Sequence, residues 1–440
     1  MTQPSALHAW PLTSAAAAIA AGKITARALA EAQLARIAAT ESIIEAWTTL
    51  DAGAVLADAD RCDAAATRGP LHGIGVGVKD IVATRGFPTG MGSPAFAGHR
   101  PGADAACIAR LATAGGYVFG KTVTTELGFM HPGKTRNPWN AQHTPGGSSS
   151  GSAAAVAAGH VCGAIGAQTN GSIIRPAAYC GVVGFKPTFG AIPFAGTFVF
   201  SPSLDTLGTF TRTVTDAVAL AGALADPGIV PTAIALLSHP PRLALLRNFP
   251  WSNIEQDAAD AIDTAVMRLQ QHGAQATPVT LPSAAATANV THRTIMLHEA
   301  AKALGQLQAR ERARLSQVLN AALDAGRAID EHAYRAALVL RDRAIAELGQ
   351  WLAPFDAIVS PPAPAGAPAS LESTGDPACC TLWSLAGFPA ITLPIGRDAA
   401  EMPLGMQLAA PAQADARLLA VAAWCEERLP FVGLVLEDRR

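Results

Sequence analysis

No dense run of lysine or arginine occurs in this sequence, and the formal net charge is only −2. Proteins that neutralise phosphates depend on such clusters, so nucleic acid is excluded as the main partner, and so is an anionic membrane surface. No segment reaches the roughly 18 apolar residues of a membrane span. The alanine-rich Ala15–Gly22 lacks the preceding positive charge of a signal peptide, which makes the cytoplasm the expected location. The seven cysteines are odd in number, scattered and without C-x-x-C spacing. That argues against a disulfide framework or a zinc site and for reduced thiols, with no metal or cofactor expected. Charged residues make up 15% of the chain against 50% hydrophobic, a balance that excludes disorder and supports a large buried core.

What is present reads as alternating helix and strand. A small helix in the first turns is followed by one starting near Thr25, with Leu29, Leu34 and Ile37 on one side. GIGVGVKDIVAT (Gly73–Thr84) reads as a buried β segment, ADAACIARLATAGG (Ala103–Gly116) as a helix ending in glycine, and YVFG as a short strand. Ser150–His160 reads as a small-residue helix and Cys162–Ser172 as a glycine-rich strand and turn. Together they predict an α/β layered core. Helical patterning returns over 289–352. FDAIVSPPAPAG then reads as a strand leaving into a proline-rich loop, followed by the strand-like GFPAITLPIG and MPLGMQLAA and a last helix, Asp415–Glu427. With no internal repeat and no long polar linker, one domain over 1–440 is expected.

Two short motifs compete for attention. GGYVFGKT (Gly115–Thr122) matches G-x-x-x-x-G-K-[ST]. A phosphate-binding loop, however, follows a strand and opens a helix. Here a helix precedes the glycines, and Tyr117, Val118 and Phe119 favour a strand. GSSSG (Gly147–Gly151) matches the nucleophile elbow G-x-S-x-G with Ser149 central, but the preceding RNPWNAQHTP is a polar, proline-broken loop rather than the required strand. That reading stays open as a minor alternative.

A third pattern is longer. Lys79 sits in the apolar GVGVKDIV, Ser148 in PGGSSSGSAAAVAAG, and Ser172 in AQTNGSIIRPAAYCG, twenty-four positions after Ser148. Singly they read as a snorkelling lysine, a linker or cap serine and a turn serine. In this order and spacing, with KPTFG at Lys186, SLDTLG at Ser203, LWSLAGFPAITLPIG and LGMQLAA, the chain resembles the amidase signature family over most of its length.

The resemblance implies an α/β fold with a mixed central sheet covered by helices on both sides. It also implies a catalytic core over about 60–215, a variable helical pocket region over about 289–375 and C-terminal strands and helix over about 380–430. It makes Ser172 the nucleophile, Ser148 a bridging acid/base in a cis peptide and Lys79 the final proton acceptor, with Ser149 in support. The amides of Thr169, Asn170, Gly171 and Ser172 would form the oxyanion hole. The chemistry fits, because a serine needs a base, and burial can lower a lysine pKa from about 10.4 far enough to supply one.

The turn departs from the common D-T-G-G-S-I-R: Gln168 replaces the aspartate, Asn170 a glycine, and arginine is displaced to Arg175. Arg175 is a candidate for a substrate carboxylate, or alternatively a structural arginine. Glu126, Phe129, Met130 and His131 are candidates for the pocket wall, or for core and loop packing. The expected function is hydrolysis of a small amide, ureide or acylated amine, with a small-molecule substrate as partner and a homodimer as one assembly. The alternatives are the A subunit of an amidotransferase built from several subunits and a catalytically silent binding protein.

Overall fold

Period-two alternation is missing from two key strands: every residue of Gly75–Lys79 and of Gly163–Gln168 is buried. That is the signature of strands with both sheet faces covered. The computed structural model describes residues 6–66 and 69–434. Its strands in chain order are β1 (Trp47–Thr49), β2 (Gly75–Lys79), β3 (Tyr117–Thr122), β4 (Gly163–Gln168), β5 (Val183–Lys186), β6 (Thr206–Thr211), β7 (Arg242–Leu245), β8 (Gln275–Pro278), β9 (Ala357–Ser360), β10 (Ala390–Arg397) and β11 (Pro403–Ala409). They form one 11-stranded sheet in the order β1-β3-β2-β4-β6-β5-β10-β11-β9-β7-β8. The sheet is mixed: β2 runs parallel to β3 and β4, whereas β4–β6, β5–β6, β5–β10 and β10–β11 are antiparallel.

Helices flank this sheet, as the sequence leads one to expect. One apolar core joins Val76, Val78, Phe119, Ile165 and Phe210, and another joins Phe249, Ile295, Leu297, Leu348 and Trp383. The helical stretch expected over 289–352 is three helices, Ala288–Glu311, Gln317–Arg327 and Glu331–Leu352. The later two start where Ser316 and Asp330 cap the amides of Leu319 and Ala333, as short oxygen-bearing side chains do at an N-terminus. Among the described residues no helix is long and apolar enough to cross a membrane.

The Gly115–Thr122 motif forms β3 rather than a phosphate loop. Its Lys121 is fully buried, 3.2 Å from Asp80, and donates to the carbonyl of Val82 and the hydroxyl of Thr89, both at 2.8 Å. A lysine tied in this way has no reach toward a nucleotide. Removing one partner of a buried pair leaves an uncompensated charge, typically at a cost of about 3–5 kcal/mol. Lys121→Met is therefore expected to lower the urea unfolding free energy by about that amount; a loss below about 1 kcal/mol would show that Asp80 does not depend on the pair.

Candidate active site

Parallel pairing of β2 with β4 brings the carboxyl ends of the two strands to the same edge of the sheet, where open α/β sheets place their ligands. Lys79 is the last residue of β2, and Gln168, the last of β4, leads into the turn Thr169–Ser172. The third contributor is the segment Pro145–Ser149, which enters helix Ser150–Ala157. Its glycines are there for close packing rather than flexibility. Gly146 takes φ +80, and a Cβ on Gly151 would lie 2.2 Å from the carbonyl oxygen of Ala46, a conformation and a clearance that only glycine tolerates. The Gly147–Ser148 peptide is cis, as the family resemblance implies.

These elements meet around the amine of Lys79. Its Nζ lies 2.7 Å from Ser148 Oγ and 3.1 Å from the carbonyl oxygen of Ala167. Ser149 Oγ donates to that same carbonyl at 3.2 Å and accepts from the Ala167 amide at 3.4 Å. Lys79 is 1% exposed, and burial lowers its pKa to about 7, with the charge of Asp205 opposing the shift. Two acceptors also fall short of an ammonium's three donors. At neutral pH a large fraction of the amine is unprotonated and able to take a proton from Ser148.

Asp205 shares a pocket with Lys79, Ser148 and Thr169. Its carboxylate accepts from Thr169 Oγ1 at 2.6 Å and from the amides of Phe200 and Ser201 at 2.7 and 3.0 Å. Burial nevertheless pushes its pKa up to about 6, with those bonds and Lys79 working the other way.

Ser172 is half-buried on an adjoining pocket, together with Thr169, Asn170 and Gly171. The two pockets share Gly128, Thr169 and Phe200. Among the described residues, the amides of Asn170, Gly171 and Ser172 donate to no acceptor, so they remain available to an anionic oxygen, as an oxyanion hole requires.

The altered turn is held by partners from far along the chain. Gln168 Oε1 accepts from the amides of Ile173 and Ile174 at 2.8 and 3.0 Å, and its Nε2 donates to Ser384 Oγ at 3.0 Å. Ser384 Oγ in turn donates to the carbonyl of Asn170, whose side-chain oxygen accepts from Thr381 Oγ1 at 2.9 Å. His292 Nε2 lies 3.0 Å from the carbonyl oxygen of Thr169, and burial lowers its pKa to about 4, which keeps the ring neutral with Nε2–H as donor. No local pattern marks His292, Thr381 or Ser384 in the sequence.

The remaining sequence candidates divide. Arg175 is 2% exposed; Nε donates to the Thr374 carbonyl at 2.8 Å, and Nη2 donates to the Gly147 carbonyl at 2.7 Å and to Thr374 Oγ1 at 3.2 Å. It braces the segment that carries Ser148. Phe129 and Met130 line the Ser172 pocket. Glu126 instead turns away to accept from Ser93 Oγ at 3.1 Å and from the Ser316 amide, while the exposed His131 contributes its backbone carbonyl to Glu126. Ser149 is engaged with Ala167, and among the described residues no histidine bonds it, so the elbow reading lacks its base. Among the described residues no group of three or more His, Cys, Asp or Glu could hold a metal ion.

The amidase family matches residues 28–419. The A component of the glutamyl-tRNA(Gln) amidotransferase of Prochlorococcus marinus (strain MIT 9313) is 33% identical over 92% of this chain and 94% of its own. A crystal structure of an amidase superposes with a TM-score of 0.88 at 29% identity, covering 96% of this chain and 100% of the other. The native peptide amidase of Stenotrophomonas maltophilia does so with 0.81 at 30%, covering 96% and 97%.

The Lys79 amine is expected to titrate near pH 7 when followed by NMR of lysine labelled at Cε, far below the ordinary value of about 10.4. Since the Asp205 charge raises that pKa, Asp205→Asn is expected to move the titration lower still. A shift upward would contradict this account of the electrostatics.

Proposed function

The chain belongs to the amidase family, and from that premise we propose that it cleaves a carbon–nitrogen amide bond through an acyl-enzyme on Ser172. The observation that carries the reading is the buried amine of Lys79, held 2.7 Å from Ser148 Oγ with its pKa lowered to about 7. Ser172 Oγ attacks the amide carbonyl carbon; its proton passes to Ser148 as Ser148 gives its own to Lys79. The carbonyl oxygen becomes an anion facing the amides of Thr169–Ser172, where one donor is worth about 10²–10³ in rate. Collapse breaks the C–N bond, and the proton returns through Ser148 to the departing ammonia or amine. Water then enters by the same relay, releasing the acid and restoring Ser172.

Two finer readings share this chemistry. The name of the curated relative supports the A component of an amidotransferase built from several subunits more strongly than it supports a free-standing hydrolase of small amides. The solved amidases and the apolar walls around Ser172 support the hydrolase. Ammonia release by the purified chain alone separates them: turnover of neutral amides without partners favours the hydrolase, and turnover of glutamine only with added partner subunits favours the amidotransferase. A silent binding protein has no need of a buried amine at this pKa.

A fluorophosphonate is expected to label Ser172, with the adduct located by peptide mass spectrometry, and Lys79→Ala should slow labelling by about 10²–10⁴. The rate should rise with pH and level off above about 7 as Lys79 loses its proton. Lys79→Arg should stay slow throughout, because a guanidinium keeps its proton. Labelling of Ser149, or a rate indifferent to Lys79, would overturn the mechanism.

A further inference from the structure

Three residues of helix Ala288–Glu311, each a turn after the last, face the turn that carries Ser172. His292, Met296 and Glu299 stand at i, i+4 and i+7, a spacing that puts them on one side of a helix. Met296 lines the Ser172 pocket. Glu299 accepts from the hydroxyls of Ser201 and Ser203, both at 2.6 Å, in the loop whose amides hold Asp205. His292, 1% exposed, reaches the carbonyl oxygen of Thr169 at 3.0 Å. A carbonyl only accepts, so the ring donates through Nε2–H.

The Thr169 carbonyl belongs to the same rigid peptide unit as the Asn170 amide, and in a trans unit the two point in opposite directions. Fixing the oxygen therefore fixes where the N–H is aimed. The next unit is tied in the same way, because Ser384 Oγ donates to the Asn170 carbonyl and so directs the Gly171 amide. In the third, the Arg175 amide donates to the Gly171 carbonyl at 3.0 Å. All three carbonyls are held, and among the described residues the amides of Asn170, Gly171 and Ser172 have no acceptor. Resting on the amide-cleaving reading above, we infer that His292 is a positioning residue for the reaction: by holding the Thr169 carbonyl it keeps the Asn170 N–H aimed at the oxyanion. It acts through the backbone and carries no proton of the reaction. The full negative charge on that oxygen develops only as the bond to Ser172 forms, so a misaligned donor slows the chemical step and leaves the preceding binding unchanged.

The test uses a fluorophosphonate, with the limiting labelling rate at saturation separated from the half-saturating concentration. His292→Phe keeps a ring and removes the donor. It is expected to lower the limiting rate by about 10–10², a part of the about 10²–10³ that one oxyanion donor is worth, while the half-saturating concentration changes by less than about twofold. His292→Gln, whose amide N–H can donate to the same oxygen, should recover most of that loss. His292→Leu takes the place of the phenylalanine variant if that one does not fold. An unchanged limiting rate would overturn the inference, and so would a glutamine variant as slow as the phenylalanine one, since His292 would then only fill space. The Asn170 amide resonance is followed in parallel by NMR of protein labelled with ¹⁵N, and is expected to shift in His292→Phe and to return in His292→Gln. If the unaltered chain takes no label, the amide-cleaving reading fails and the resonance alone decides: a shift that glutamine reverses leaves the placement standing, and no shift overturns it.

Discussion

An amine kept from water loses its proton more easily, and the burial of Lys79 is the constraint around which the site is built. An ammonium removed from water without a close carboxylate is strongly disfavoured. The structure gives this one a hydroxyl and a carbonyl instead, so the neutral form is the one its surroundings accommodate. The glycines of Pro145–Gly151 follow from the same requirement. They let the backbone of that segment approach Val123, Pro176 and Thr374 closely enough to seal the amine on the side where Ser148 enters. What reads as linker composition is the consequence of a backbone pressed against its neighbours.

Asp205 sets how far the shift goes. It lies in the same pocket, its charge raises the Lys79 pKa, and burial in turn raises its own to about 6. The two groups therefore limit each other, since ionising either makes ionising the other easier. Asp205 is also bonded to Thr169 and, through the amides of Phe200 and Ser201, to the loop beside it. One carboxylate thus couples the electrostatics of the amine to the position of the turn that carries Ser172.

How much of this was legible in the sequence follows from how local each signal is. Lys79, Ser148 and Ser172 each stand in a stretch whose small or apolar neighbours are unusual, and the α/β layering followed from short apolar strands and helix patterns that are each complete within a dozen residues, while the mixed sheet came from the family resemblance. The braces of the turn were not legible. His292 reaches Thr169 across 123 positions, and Thr381 and Ser384 reach Asn170 across 211 and 214; a serine or histidine that acts through such a contact looks like any other on its helix. Arg175 was visible as a charge close to Ser172, but its bonds to Gly147 and Thr374 depend on chain that packs 28 and 199 positions away. The order of the sheet was hidden for a similar reason, since the antiparallel β6 inserts between β4 and β5 against the order of the chain.

The two buried lysines of neighbouring strands show why burial alone does not make a base. Lys79 ends β2 and Lys121 lies in β3, in register one residue apart, and burial lowers both, to about 7 and about 8. Lys121 has Asp80 at 3.2 Å as well as the oxygens of Val82 and Thr89. Val82 and Thr89 accept from the ammonium, and the Asp80 carboxylate at ion-pair distance stabilises its charge. Lys79 has two acceptors, one of them a hydroxyl that can donate as well as accept. The same residue type in the same sheet thus carries a carboxylate at ion-pair distance in one strand and only a hydroxyl and a carbonyl in the next, and that difference in compensating charge is what separates them.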